Sequence, residues 1–190
     1  MDAFFHASET VVNRFVQPMA EMFALKTIEL VAAYLPRAVK DGTDLEARTM
    51  MSYANTFAGY YMMATSAHTM EHAMGSFHDD LPHGEGMILL AHAYYDYFAR
   101  RKACEGQMVK MAKAMGRRDP RTGLDFIQAL DDLLDAVGCG DLTMSGAGIT
   151  EEELPLFPPK VHDVLAGDIT ADPLPLTDAD RLAIFRAAWK

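Results

Sequence analysis

The chain has 190 residues, half of them hydrophobic and 23% charged, with a formal net charge of −10. This composition excludes extended disorder and fits one compact domain, while the negative charge disfavours phosphate backbones and anionic membranes as partners. No secretory leader opens the sequence, no apolar run nears the roughly 18 residues of a membrane span, and two cysteines make no disulfide framework, so a cytoplasmic protein is expected.

Apolar residues recur every three or four positions through long segments, and alternating β-branched runs are missing, which predicts an all-α chain. A first helix is expected from Asp2 to Asn13, with the Asp2 carboxylate at its positive end. A second runs from Pro18 to Val39 and ends at Lys40-Asp41-Gly42. A third follows Thr43, read as its cap, and extends towards Ser66. The next segment carries His68 and His72 and closes near Gly75, and His78-Asp79-Asp80-Leu81-Pro82 forms a loop. Met62, Met63, Met70 and Met74 are expected as core filler.

The apolar segment from Gly84 to Ala99 predicts a buried central helix. Amphipathic helices are expected over Ala103 to Met115 and Gly123 to Ala136. Thr150 with Glu153 and Thr177 with Asp180 resemble capping boxes, although Pro155, Pro158 and Pro159 interrupt the first of these helices. The glycine-rich stretch from Gly138 to Gly148 lacks a preceding strand and a Gly-Lys-Ser/Thr ending, so it reads as a loop and not a phosphate cradle. Asp168 to Leu176, rich in Asp and Pro, reads as another loop.

Five residues stand out chemically: Asp2, His6, His68, His72 and His83. Asp2 and His6 are spaced to share one helix face, as are His68 and His72, and His83 sits at the chain reversal in Leu81-Pro82-His83-Gly84. Imidazoles with a carboxylate suit a divalent first-row ion, Fe or Zn ahead of Mg or Ca. Two assignments follow from the residues. His68-Thr69-Met70-Glu71-His72 matches His-x-x-Glu-His, which in zinc peptidases places both histidines on zinc and uses the glutamate as general base. That reading leaves Asp2, His6 and His83 without a role. A non-catalytic helical metal-binding domain is the second.

Asp2-Ala3-Phe4-Phe5-His6-Ala7-Ser8-Glu9, His68-Thr69-Met70-Glu71-His72-Ala73-Met74-Gly75, Pro82-His83-Gly84 and Ala187-Ala188-Trp189 together resemble the C-terminal half of iron-containing alcohol dehydrogenases. The resemblance runs from Asp2 to Trp189 and implies a single multi-helix, dehydroquinate synthase-like domain over residues 1–190. It implies Asp2, His6, His68 and His83 as ligands of Fe(2+) or Zn(2+), and assigns His72 to catalysis and the nicotinamide pocket. The implied activity is hydride transfer between a small alcohol or aldehyde and NAD(P). Tyr61, Ala64 and Thr65 would share the face of His68 and line the substrate pocket if their helix is continuous. His92 also matches a family position, either as buried helix polarity or behind the metal ligands, and His78 is a conceivable local competitor for metal.

Family members carry a nucleotide-binding α/β domain ahead of this part, and nothing in these residues supplies one. The chain alone is therefore expected to be inactive and to depend on a coenzyme domain in cis or in trans. A homodimer is the further partner the resemblance implies.

Overall fold

The computed structural model describes residues 1–164 and 170–189. Among these the chain is helical without strands: α1 (Asp2–Val12), α2 (Pro18–Lys40), α3 (Leu45–Tyr60), α4 (Ser66–Gly75), α5 (His83–Arg100), α6 (Glu105–Ala114), α7 (Gly123–Ala136), a 3-10 turn (Glu151–Leu156), α8 (Phe157–Val164) and α9 (Asp178–Ala188). No described helix is long and apolar enough to cross a membrane. The five residues of the Asp- and Pro-rich stretch and its approach numbered 165–169, including the start of the loop expected from Asp168, lie outside the described residues.

Two helices form the centre. α5 buries Met87, Leu89, Leu90, Tyr94, Tyr95 and Phe98, as its apolar pattern predicts. α1 is equally enclosed, because Phe4, Phe5, Ala7, Val11 and Val12 cover its faces and α2, α3, α5 and α6 pack around it. Phe4 stacks on Phe126 of α7 (ring centroids 6.4 Å) and Tyr95 meets Phe126 edge-on (5.1 Å). This aromatic wedge fixes the relative placement of α1, α5 and α7, and hence of Asp2, His6 and His83 at their N-terminal ends.

The third predicted helix is shorter than its apolar spacing suggests. It ends at Tyr60, and residues 61–65 are not helical. α1 supplies the reason. The Asn13 side-chain amide donates to the carbonyls of Met63 (3.2 Å) and Ala64 (3.1 Å), and Thr10 Oγ1 accepts from Met63 N (3.0 Å). Backbone groups that a helix would pair internally are satisfied by side chains, so the break costs little. The break also turns Met62 outward, 51% exposed, while Met70 and Met74 are core as expected. At the other end of α3 the cap is Asp44, whose Oδ1 accepts from Ala47 N (3.0 Å); Thr43 instead bonds Asp41.

Both anticipated capping boxes are present, and a third closes α7 through Thr122 and Asp125. Pro155 lies in the 3-10 turn, whereas Pro158 and Pro159 fall in the first turn of α8, where missing N–H groups cost nothing. They start a helix and do not interrupt one. The stretch from Gly138 to Gly148 is turn and loop.

α7 opens against α5 and α6 at Gly123, where an added Cβ would lie 2.7 Å from Met108 Sδ and 3.0 Å from Ala99 Cβ. The thioether can move, but the Ala99 side chain belongs to a packed helix. Gly123→Ala is expected to destabilise by roughly 1–3 kcal/mol, the usual cost of overpacking, and to lower the melting temperature by several degrees. A melting temperature equal to or above that of the unsubstituted chain would show that α7 can withdraw freely.

Candidate metal centre

α1, α4 and the start of α5 bring the sequence-predicted residues to one place. From α1, Asp2 and His6 lie one turn apart, with His6 Nε2 3.3 Å from Asp2 Oδ2. From α5, His83 Nε2 lies 3.3 Å from Asp2 Oδ1, and from α4, His68 Nε2 lies 3.7 Å from the same oxygen. One donor atom from each of Asp2, His68 and His83 falls within 4.8 Å of the other two. His6 completes the group by stacking on His68 at 4.4 Å between ring centroids. Three Nε2 atoms thus face one carboxylate.

His72 stands apart from this convergence. Its ring centroid is 6.4 Å from that of His68, it stacks on His83 at 5.2 Å, and its side chain is 45% exposed at the rim. The helical spacing of His68 and His72 therefore does not bring both rings to Asp2. Thr65 is fully buried and hydrogen-bonded, and Tyr61 stacks on Phe23 (5.4 Å) beyond the broken end of α3. The continuous helix that would have put Tyr61, Ala64 and Thr65 on the His68 face does not form. His78 pairs with Glu153 (3.2 Å), and His92 is exposed and bonded to Asp131 (2.8 Å), so it is not buried helix polarity.

Of these histidines, His68 and His83 are each backed by a buried glutamate. Glu9, fully buried on α1, bonds His68 Nδ1 through Oε1 and accepts from Thr65 N and Thr65 Oγ1 (both 2.8 Å) through Oε2. Glu71, 2% exposed, bonds His83 Nδ1 at 2.5 Å. Carboxylates on Nδ1 leave each Nε2 aimed at Asp2, the arrangement that fixes metal-ligating histidines. It also removes the ground for a peptidase base, since Glu71 is enclosed and committed to His83. Sequence reasoning gave Glu9 no role. Its signal was present: Asp2, His6 and Glu9, the ionisable residues of α1, occupy successive turns on one face of the helix.

The charges are strongly coupled. The His6 ring first, and the His68 and His83 rings with it, favour the charged carboxylate and hold Asp2 well below the usual carboxylate range. Burial pulls the His68 pKa down, but the Asp2 and Glu9 carboxylates outweigh it and raise the value to about 10. Even so, Asp2 Oδ1 and His68 Nε2 are buried without a hydrogen-bond partner, as is His6 Nδ1. Buried polar atoms left bare inside a nitrogen and oxygen donor set fit a bound cation.

The chain matches the model of the Fe-containing alcohol dehydrogenase family, C-terminal, over residues 1–189. It is 34% identical over 151 residues to alcohol dehydrogenase 4 of Schizosaccharomyces pombe, covering 77% of this chain and 30% of that protein. It is 32% identical to 1,3-propanediol dehydrogenase of Klebsiella pneumoniae over 142 residues, covering 72% of this chain and 35% of that protein. Among solved structures, an archaeal halo-thermophilic Red Sea brine pool alcohol dehydrogenase superposes with a TM-score of 0.91 at 27% identity, over 98% of this chain and 49% of its own. A 1,3-propanediol oxidoreductase superposes at 0.89 with 26% identity, over 100% and 50%. The chain thus spans about a third of the first two relatives and half of these structures. With its helical fold and the match along its whole length, the chain belongs to the iron-containing alcohol dehydrogenase family and corresponds to that family's C-terminal domain.

Proposed function

We propose that these 190 residues form the metal-binding half of an NAD(P)-dependent alcohol dehydrogenase that transfers hydride between an alcohol or aldehyde and the nicotinamide. The observation that carries the reading is the convergence of His6, His68 and His83 Nε2 on the Asp2 carboxylate, with Glu9 and Glu71 behind two of the rings. Asp2, His6, His68 and His83 would hold Fe(2+) or Zn(2+). When bound, such an ion supplies a Lewis acid that polarises the substrate oxygen.

The chain's own groups do the rest. Asp2 brings negative charge to the donor set, and Glu9 and Glu71 keep the Nδ1 protons so that Nε2 remains the donor atom. His72, on the rim with Nδ1 turned towards Glu71 at 3.8 Å, orients the nicotinamide or passes a proton at the edge of the site. The coenzyme-binding surface lies on a nucleotide-binding domain outside these residues, in cis or in trans, so the chain by itself has little or no dehydrogenase activity.

Loading the chain with Fe(2+) anaerobically, or with Zn(2+), and counting bound metal after desalting tests this. About one ion per chain is expected, lost in Asp2→Ala and retained in His72→Ala. Loss only in His72→Ala would move the site to Glu71, His72 and His83, the second donor group within reach of one ion. Proteolysis abolished by Glu71→Gln would restore the peptidase reading.

A further inference from the structure

α4, the helix that presents His68, has no cap of its own. The N-cap residue Thr65 makes no side-chain bond to the helix. Two buried carboxylates from distant parts of the chain take its first N–H groups instead: Glu9 accepts from Thr65 N (2.8 Å) and Asp172 Oδ1 accepts from Ser66 N (3.1 Å). Acceptors with negative charge are what a helix N-terminus favours.

The two carboxylates are joined through a line of hydroxyls. Thr65 Oγ1 donates to Glu9 (2.8 Å), and the Tyr94 hydroxyl lies between Thr65 Oγ1 (2.7 Å) and Asp172 Oδ1 (2.6 Å), with its one proton going to either of these two oxygens. Every member is at most 1% exposed. Water cannot substitute for a missing link there, so each bond restricts the next. The line ends on Glu9, whose other oxygen holds His68 Nδ1.

We infer that Tyr94 and Asp172 are positioning residues for His68, acting through Thr65 and Glu9 to lock the first turn of α4 and the direction of the His68 ring. Neither touches the donor set around Asp2. Thr65, expected at the substrate pocket, is a link in this line. The inference rests on the metal reading only for its effect on affinity.

The test compares two tyrosines on adjacent positions of α5. Tyr95 is as buried as Tyr94, and its hydroxyl bonds Ser8 (2.5 Å) instead of Thr65. Tyr94→Phe and Tyr95→Phe therefore each remove one buried hydroxyl and keep the ring. In the metal-free chain, the His68 Nδ1 proton observed by NMR is expected to exchange at least about tenfold faster in Tyr94→Phe and at an unchanged rate in Tyr95→Phe. The dissociation constant for Zn(2+) is expected to rise about 10- to 100-fold in Tyr94→Phe, as for other residues behind metal ligands, and to stay within about threefold in Tyr95→Phe. Equal effects of the two variants, or an unchanged exchange rate in Tyr94→Phe, overturn the inference. If the unsubstituted chain takes up no metal, the metal reading fails on its own, and the exchange rates still decide the network.

Discussion

Between pH 7 and 9 the affinity of the metal-free chain for Zn(2+) is expected to rise about tenfold per pH unit, a change of roughly a hundredfold. The cause is His68. Its pKa is raised to about 10 because the Asp2 and Glu9 carboxylates overcome the opposing effect of burial, so over this range the ring carries a proton on the nitrogen that must bind metal. Each ion that enters displaces that proton, and one proton released per ion gives one logarithmic unit per pH unit.

The same shift makes the metal-free fold pH-dependent with a definite sign. Below the ordinary histidine value of 6.5 the ring is protonated in folded and unfolded chains alike, and its pairing with the two carboxylates stabilises the fold fully. As pH rises from there towards about 10 the unfolded chain gives up its proton first, and the contribution declines until it is gone. Metal-free stability should therefore fall over the window in which metal affinity climbs. Competition with a chelator corrected for pH measures the affinity, and denaturant unfolding measures the stability. Glu9→Gln should flatten both dependences by removing one of the two charges. A pH-independent dissociation constant in the unsubstituted chain would mean that His68 is already neutral and that Asp2 and Glu9 do not hold it charged.

How much of this was legible beforehand depends on the range of the interaction. Helices α5 and α7 and the caps Thr150/Glu153 and Thr177/Asp180 follow from spacings of three or four residues, and they stand where those spacings put them. Asp2 with His6 is also a local pattern, and Pro82-His83-Gly84 announces the turn that delivers His83. The Glu9–Thr65 bond spans 56 residues and the Ser66–Asp172 bond 106, and no periodicity encodes either. The break after Tyr60 was hidden for the same reason. Its apolar spacing continues as a helix would, and only Asn13 and Thr10, arriving from α1, make the non-helical form the better one.

Gly86 exposes the dependence of the centre on its backing carboxylates. In Gly86→Ala the new Cβ would lie 2.7 Å from Glu71 Oε1 and 2.9 Å from its Cγ. Helix propensity favours the substitution by about 1 kcal/mol, because alanine restricts the unfolded chain and glycine does not. Against it stands a carboxylate with nowhere to go: Glu71 is 2% exposed and its Oε2 is fixed on His83 Nδ1. Displacing it costs the buried hydrogen bond, about 1–3 kcal/mol, so net stability should change little or fall slightly. Metal binding has no such compensation. With Glu71 pushed aside the His83 ring is free to rotate, and a loss of about 10- to 100-fold in Zn(2+) affinity is expected alongside a nearly unchanged unfolding free energy. Gly84 precedes it on the same helix with open space around its would-be Cβ, so Gly84→Ala serves as the matched substitution that should leave affinity intact. Equal affinities for the two variants would show that Glu71 does not position His83, because only one of the added methyl groups reaches it.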